Sequence, residues 1–189
     1  MDIKLTWNLF IGGFFILILA YSVINGKNQT LKIIIASYLA ALASDGLANL
    51  IYKYFLMYSP LAESISAPLL TKYFLFFKIL LFIGLIVFLV IKAEYYVELD
   101  SSSPLFLRFL TTVIFAVLSA GLLISTVLVF VSGGTFIGAT GGSVDATQIA
   151  DLYKESRLVR IMVNNYNLWF SIPAIALILD SMISRRKNV

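Results

Sequence analysis

The stretch that decides the fold is LKIIIASYLAALASDGLANLIYKYFLM, residues 31–57. As a helix it is long enough to cross about 30 Å of hydrocarbon, and Asp45 is its only acid. Small residues recur at every fourth position and give one smooth face, which consists of Ala36, Ala40, Ser44 and Ala48. Such a small-residue ridge lets a second helix approach closely within a membrane. This stretch therefore predicts a transmembrane helix that packs against other helices.

The composition of the whole chain agrees with a membrane location. Of the 189 residues, 60% are hydrophobic and 13% are charged, whereas soluble domains average about 25% charged residues. The mean hydropathy is +0.96, which leaves too little polar surface to cover a globular domain in water. The composition excludes an ordinary water-soluble domain.

Three further apolar segments surround the deciding stretch. Residues 5–26 carry no charge, and Gly26 is suited to end this helix while Thr30 is suited to cap the next. The first two segments are therefore expected to form a tight hairpin. The four predicted spans cover residues 5–26, 31–57, 69–91 and 105–131, so that residues 1–131 form a four-span bundle.

The remaining residues divide into four segments. Residues 132–144 are rich in glycine and predict a flexible loop without a defined partner. Residues 145–163 predict an amphipathic helix on the membrane surface, with an apolar face of Ile149, Leu152, Tyr153, Val159 and Val163. Residues 166–184 predict a fifth span, with a surface-lying or re-entrant helix as the alternative, and residues 185–189 form a basic tail. The predicted fold is an all-α, polytopic membrane bundle of four to five transmembrane helices with one amphipathic surface helix.

The basic residues indicate which side of the membrane each loop occupies. With five spans and an inner C-terminus, the inner side carries Lys27, Lys32, Lys92, Arg108, Arg185, Arg186 and Lys187. The short outer segments carry Lys4, Lys53 and Lys72. This excess satisfies the positive-inside rule. A four-span arrangement with both termini inside satisfies it as well, so the rule predicts a cytoplasmic C-terminus and leaves the N-terminus undecided.

The absence of two residue types excludes much familiar chemistry. The chain has no Cys and no His, so it has no thiolate nucleophile, no disulfide, no thiolate or imidazole metal site and no Ser-His-Asp triad. The glycine-rich stretch 133–142 lacks the Lys followed by Ser or Thr that closes a phosphate-binding loop. We expect no catalysis, no metal and no cofactor. The net charge of +4 is explained by membrane orientation, so no nucleic acid is expected as a partner.

Polar residues form a stripe on the second predicted span. Ser37, Ala41, Asp45, Asn49 and Lys53 stand four apart and share one helix face. A carboxylate inside a membrane costs several kcal/mol unless it is paired, which makes Asp45 a candidate functional residue. Lys53 lies two turns away, about 12 Å by helix rise, so the expected partner is Lys78 or a Ser or Thr from the fourth span. Three alternative roles follow for Asp45: it fixes helix packing, it lies on a proton or ion path, or it contacts a partner protein.

The fourth predicted span carries a second ridge of small side chains. Thr112, Ala116 and Ala120 repeat at four-residue spacing beside Gly121 and Ser125. This ridge predicts a packing seam against the second span.

Several features resemble the colicin V production (CvpA) family of bacterial inner-membrane proteins. They are an acid near the start, Asp2, a turn at Asn25-Gly26-Lys27 followed by Leu31-Lys32, and the stretch 115–120, FAVLSA. The resemblance covers roughly residues 1–130. The chain departs from the family pattern where Asn25 replaces a basic residue, where Thr112, Ala116 and Ala120 replace glycines, and where the acid that opens the fourth span is missing.

The resemblance implies a non-catalytic role in secretion or cell-envelope maintenance at the bacterial inner membrane. The residues themselves favour an accessory or scaffold protein that binds a larger membrane protein through its two ridges. The alternative is a channel or proton-coupled transport subunit whose path passes Asp45, Asn49 and Lys53, and this alternative requires a homo-oligomer.

Overall fold

The computed structural model describes residues 7–56, 67–92, 105–136 and 156–186, and this part of the chain is helical without strands. Helix α1 covers Trp7–Ile51 and continues into a π-helical turn at Tyr52–Leu56. The other helices are α2 (Ala67–Lys92), α3 (Leu105–Val131), α4 (Arg157–Asn164) and α5 (Tyr166–Arg186). The predicted all-α fold is confirmed.

Helix α1 reverses direction at Gly26. This residue has φ 78° and ψ 179°, a conformation that is open essentially to glycine alone. The rings of Phe15 and Tyr38 lie 6.4 Å and 6.3 Å from those of Trp169 and Phe170, two consecutive residues of α5. In a straight helix Phe15 and Tyr38 would be about 34 Å apart. The chain therefore folds back into a first arm, residues 7–25, and a second arm, residues 27–51.

Contacts at the two ends of the bundle show how the helices run. At the reversal end, which contains Gly26, Lys27 of the second arm pairs with Asp180 of α5. At the opposite end, which we call the loop end, the Ser156 hydroxyl donates a 2.7 Å hydrogen bond to Asn8 Oδ1. The first arm and α5 thus run parallel from the loop end to the reversal end. The hairpin turn and the C-terminal end of α5 lie together, as a five-span arrangement requires.

Three helical segments are long and apolar enough to cross a membrane: Ile11–Tyr54, which contains the reversal, Tyr73–Lys92 and Phe109–Val131. The pair of helices α4 and α5 passes the same test only as one unit, bent by 63°. These helices indicate a multi-pass membrane protein. The bend lies directly after the short α4, so α4 and α5 together form either a broken span or a re-entrant loop.

Helix α4 is shorter than the predicted amphipathic helix. Its N-cap is Ser156, whose hydroxyl accepts a 3.1 Å hydrogen bond from the Val159 N–H group. The buried face of α4 consists of Val159, Met162 and Val163, and it packs against Ile11, Ile124 and Leu128 of the bundle. Protein therefore covers Val159 and Val163, the two described residues of the apolar face that the sequence assigned to the membrane surface. Residues 145–155, with the rest of that predicted helix, lie outside the described residues.

Helix α5 fits closely against α3 at one glycine. A Cβ atom on Gly121 would lie 2.0 Å from Cε3 of Trp169. The indole therefore occupies the space that any other residue at this position would fill. Trp169 also contacts Phe15 of the first arm, so this ring joins α5 to two other elements of the bundle.

The predicted connection between Gly26 and Thr30 is shorter in the structure. Within it only Gly26 departs from helical geometry, and Thr30 does not cap the second arm. Its hydroxyl donates a 3.1 Å hydrogen bond to the Gly26 carbonyl within the first turn, because the helix already resumes at Lys27. The prediction that Gly26 ends the first helix is confirmed, and the prediction of a Thr30 cap is wrong.

Substitution of Gly26 tests the reversal. Gly26→Ala should destabilise the protein by about 1–3 kcal/mol, because nothing lies within 4 Å of the added Cβ and the whole cost is backbone strain at positive φ. The measurement is thermal unfolding in detergent. The matched control is Gly84→Ala on α2, which also meets nothing within 4 Å but has helical geometry. Equal melting temperatures for the two variants would contradict the reversal geometry.

Candidate functional site

The site begins at the C-terminal end of α3. The Gly133 N–H donates to the Phe130 carbonyl at 3.0 Å, and the Gly134 N–H donates to the Val129 carbonyl at 2.9 Å. Gly133 has φ 76°, so these bonds form a Schellman cap with glycine at its left-handed position. The cap turns the chain back toward the bundle. Residues 132–136, which we call the return segment, then enter the space beside α1 and α2.

The return segment binds the carboxylate of Asp45. Oδ2 of Asp45 accepts a 2.9 Å hydrogen bond from the Thr135 hydroxyl and a 2.7 Å hydrogen bond from the Phe136 N–H group. Its other oxygen, Oδ1, pairs with the ammonium of Lys78 on α2. Asp45 is fully buried. The carboxylate thus has partners from two separate elements.

The ammonium of Lys78 is equally enclosed. Besides Asp45, it donates a 3.1 Å hydrogen bond to the Gly134 carbonyl and lies 4.7 Å from the centroid of the Phe130 ring. An ammonium has three N–H groups, and the carboxylate, the carbonyl and the aromatic face receive them. The negative end of the α3 dipole also lies here and favours a cation. Lys78 is only 2% exposed.

A row of aromatic side chains closes the site on the side of α5. Phe82 and Phe130 lie 5.7 Å apart between ring centroids, Phe130 and Phe136 lie 5.5 Å apart, and Phe136 and Phe170 lie 4.8 Å apart. Tyr38 continues the row, because its hydroxyl donates to the Phe170 carbonyl. These aromatic contacts stabilise the packing beyond their burial. The ion pair is therefore enclosed by α1, α2, α3, the return segment and α5.

The expected partner of Asp45 is present, but the expected stripe is not continuous. Asp45 pairs with Lys78, one of the partners that the sequence favoured. Asn49 is half-buried, and Lys53 is exposed with its Nζ 5.6 Å from the Tyr54 ring centroid. Lys53 lies in the π-helical turn, eight residues after Asp45, and in a helix of 3.6 residues per turn this spacing already rotates the side chain by about 80° from the face of Asp45. Asp45 itself lies near the loop end, because the second arm starts at Lys27 and ends soon after this residue.

The two small-residue ridges are buried within the chain. All seven of their side chains are at most 5% exposed, namely Ala36, Ala40, Ser44, Ala48, Thr112, Ala116 and Ala120. Ala40 packs in one cluster with Phe82 of α2 and with Leu123 and Phe130 of α3. The contact between α1 and α3 is the most extensive among the described elements. The bundle itself occupies these ridges, so their side chains serve helix packing within the chain.

The return segment is the part of the site that sequence reasoning missed. Residues 132–144 were expected to form a flexible loop without a partner, yet Gly134, Thr135 and Phe136 bind the buried ion pair. One signal for this was available, since glycine just after a long helix favours a Schellman cap. The cap alone does not reveal where the chain goes next. The rest of that predicted loop lies outside the described residues.

The arrangement is suited to holding helices together. In the described part of the chain no group of three or more Asp or Glu residues could hold a metal ion. A second ion pair, Lys27 with Asp180, joins the hairpin turn to α5 at the reversal end, and Lys27 Nζ lies 5.6 Å from the Phe115 ring centroid. Each pair links segments that are far apart in sequence.

Comparison with known proteins gives no relative. No family model, no curated protein and no solved structure matches the chain.

Substitutions at Asp45 and Lys78 test the ion pair. Lys78→Met or Asp45→Asn alone should each destabilise the protein by about 3–5 kcal/mol, because one charged group stays buried without its partner. The double variant should lose clearly less unfolding free energy than the two single variants lose together, since it removes both charges. The measurement is a double-mutant cycle of thermal unfolding in detergent. Lys53→Met, at an exposed lysine, is the control and should change stability by less than about 0.5 kcal/mol. Strict additivity of the two single changes would contradict the pairing.

Proposed function

We propose that this protein is a non-catalytic accessory or scaffold subunit of a larger complex in the bacterial inner membrane, with its C-terminus in the cytoplasm. The resemblance to the CvpA family suggests a role in secretion or cell-envelope maintenance. The observation that carries the proposal is the use of the buried charged groups: Asp45 and Lys78 bind one another and the return segment. These charged groups therefore stabilise the packing of the bundle.

Of the three described segments that are long enough to cross a membrane, α2 is the one that the rest of the chain covers least. Only 11% of its membrane-length window is buried, compared with 78% for the window of α3. Aromatic side chains project from its outer face, and Tyr73, Phe76 and Phe88 are each more than half exposed. Aromatic residues are enriched where membrane proteins and interfaces bind partners. The outer face of α2 is thus the surface on which we expect a larger membrane protein to dock.

Purification of the tagged protein from its native membrane tests this proposal. In mild detergent we expect a particle that contains a larger protein at fixed stoichiometry. Combined substitution Phe76→Ala and Phe88→Ala should lower recovery of that protein at least tenfold, because it removes two large contact groups. Composition is measured by mass spectrometry and particle mass by light scattering.

The matched control is the pair Ile178→Ala and Leu179→Ala on α5. Both residues are more than half exposed, so these substitutions remove apolar surface of similar exposure from another helix. They should leave recovery of the partner unchanged. A particle that contains copies of this chain alone would refute the accessory proposal and favour the second one.

The second proposal is a channel or proton-coupled transport subunit that acts as an oligomer. It is favoured by the burial of two ionisable groups in membrane-length helices, since such groups commonly mark ion and proton paths. The path would start at Asp45 and Lys78 and continue past Asn49. Lys53 is exposed in the single chain, so it would join this path at a contact between copies.

Proton flux in liposomes distinguishes the two proposals. The transport proposal expects flux that is lost in Asp45→Asn and in the double variant Asp45→Asn, Lys78→Met. The double variant guards against a loss that reflects unfolding, because it leaves neither charge unpaired. If flux is absent in the natural protein, or persists unchanged in both variants, the transport proposal fails.

A further inference from the structure

An apolar groove lies on the side of the bundle between the first arm of α1, α2 and α3. It comprises a cavity of about 430 Å³ and an adjoining cavity of about 240 Å³. The two share Ile18, Ile86, Val87 and Leu123. We call them together the side groove. All twelve side chains of the larger cavity are Ile, Val, Leu or Phe, so the side chains of this cavity offer no hydrogen bond to a ligand.

The length of the side groove matches one leaflet of a membrane. Along α2 its lining runs from Ile79 to Ile91, which is about 18 Å at the rise of an α-helix. Half of a hydrocarbon core is about 15 Å. The groove begins near the ion pair, because Ile79 follows Lys78, and it ends near the reversal end, where Tyr21 and Ile33 line it.

The lining of the side groove suits a hydrocarbon chain. The larger cavity extends from Ile11 to Ile18 on the first arm, about 10 Å, and every side chain around it is Ile, Val, Leu or Phe. A hydrocarbon chain gains contacts with such a lining over its length and needs no hydrogen bond. The length and the apolar lining of the groove therefore favour a single acyl chain.

A charge lies at the reversal end of the side groove. Ile91 lines the groove, and Lys92, the next residue and the last of α2, is exposed. A basic residue at this height attracts the headgroup of an anionic lipid. We propose that the side groove binds one acyl chain of an anionic phospholipid, whose phosphate lies at Lys92. This inference does not depend on the proposed function.

Native mass spectrometry of the detergent-purified protein tests the headgroup contact. After removal of native lipid, the protein is titrated with phosphatidylglycerol and with phosphatidylcholine of identical acyl chains. We expect one bound phosphatidylglycerol and a clear preference over phosphatidylcholine. Lys92→Gln should lower this preference about fivefold, the effect of one basic residue near a lipid surface. Lys53→Gln, at an exposed lysine near the loop end, is the matched control and should leave the preference unchanged.

Two groove variants test the acyl-chain contact. Val127→Phe fills the floor of the side groove, and Ile83→Phe fills its rim, where a half-exposed residue tolerates a larger side chain. Each should reduce bound lipid at least tenfold. Leu80→Phe, at an exposed α2 residue that does not line the groove, should leave it unchanged.

Three results would overturn the proposal. The first is lipid binding that survives both groove variants. The second is an equal loss of preference in Lys92→Gln and Lys53→Gln. The third is a dimer of the chain that both groove variants break up, because a second copy would then occupy the side groove.

Discussion

The ion pair between Asp45 and Lys78 is the interaction on which the rest of the bundle depends. Each of these charges would cost several kcal/mol alone in a membrane interior, and breaking a buried pair is strongly unfavourable. The cost of burying the two charges is compensated only when α1, α2 and the return segment occupy their observed positions, because Gly134, Thr135 and Phe136 supply further contacts. The burial of one acid thus specifies how three separate parts of the chain meet.

The two ion pairs connect the helices at opposite ends of the bundle. Asp45 and Lys78 join α1 to α2 near the loop end, whereas Lys27 and Asp180 join the hairpin turn to α5 at the reversal end. Between them the contact of α1 with α3 is made by small side chains, which allow close approach without directional bonds. Charges therefore set the register of helices that packing alone would leave free to slide.

The sequence predicts the elements of this fold better than the connections between them. Apolar length predicts α3 with the bounds seen in the structure, because hydrophobicity and helix length act locally. The reversal at Gly26 follows from its flexible backbone. The return segment was missed because its binding to Asp45 depends on contacts about ninety residues apart in the chain. The exposure of Lys53 was missed because a four-residue spacing drifts around a helix of 3.6 residues per turn, so the stripe does not stay on one face over eight residues.

The burial of the charged groups affects how the membrane-facing surface can recognise other molecules. Since the buried charges bind one another, the membrane-facing surface of α1 and α2 is left with apolar side chains, and apolar surface gains nothing by leaving lipid for another apolar surface. Specific recognition there must come from shape. Within the described part of the chain, the side groove and the aromatic outer face of α2 both depart from a smooth cylinder. An apolar groove suits a flexible hydrocarbon chain, whereas projecting rings suit a rigid protein surface, so the two features differ in the kind of molecule that they recognise.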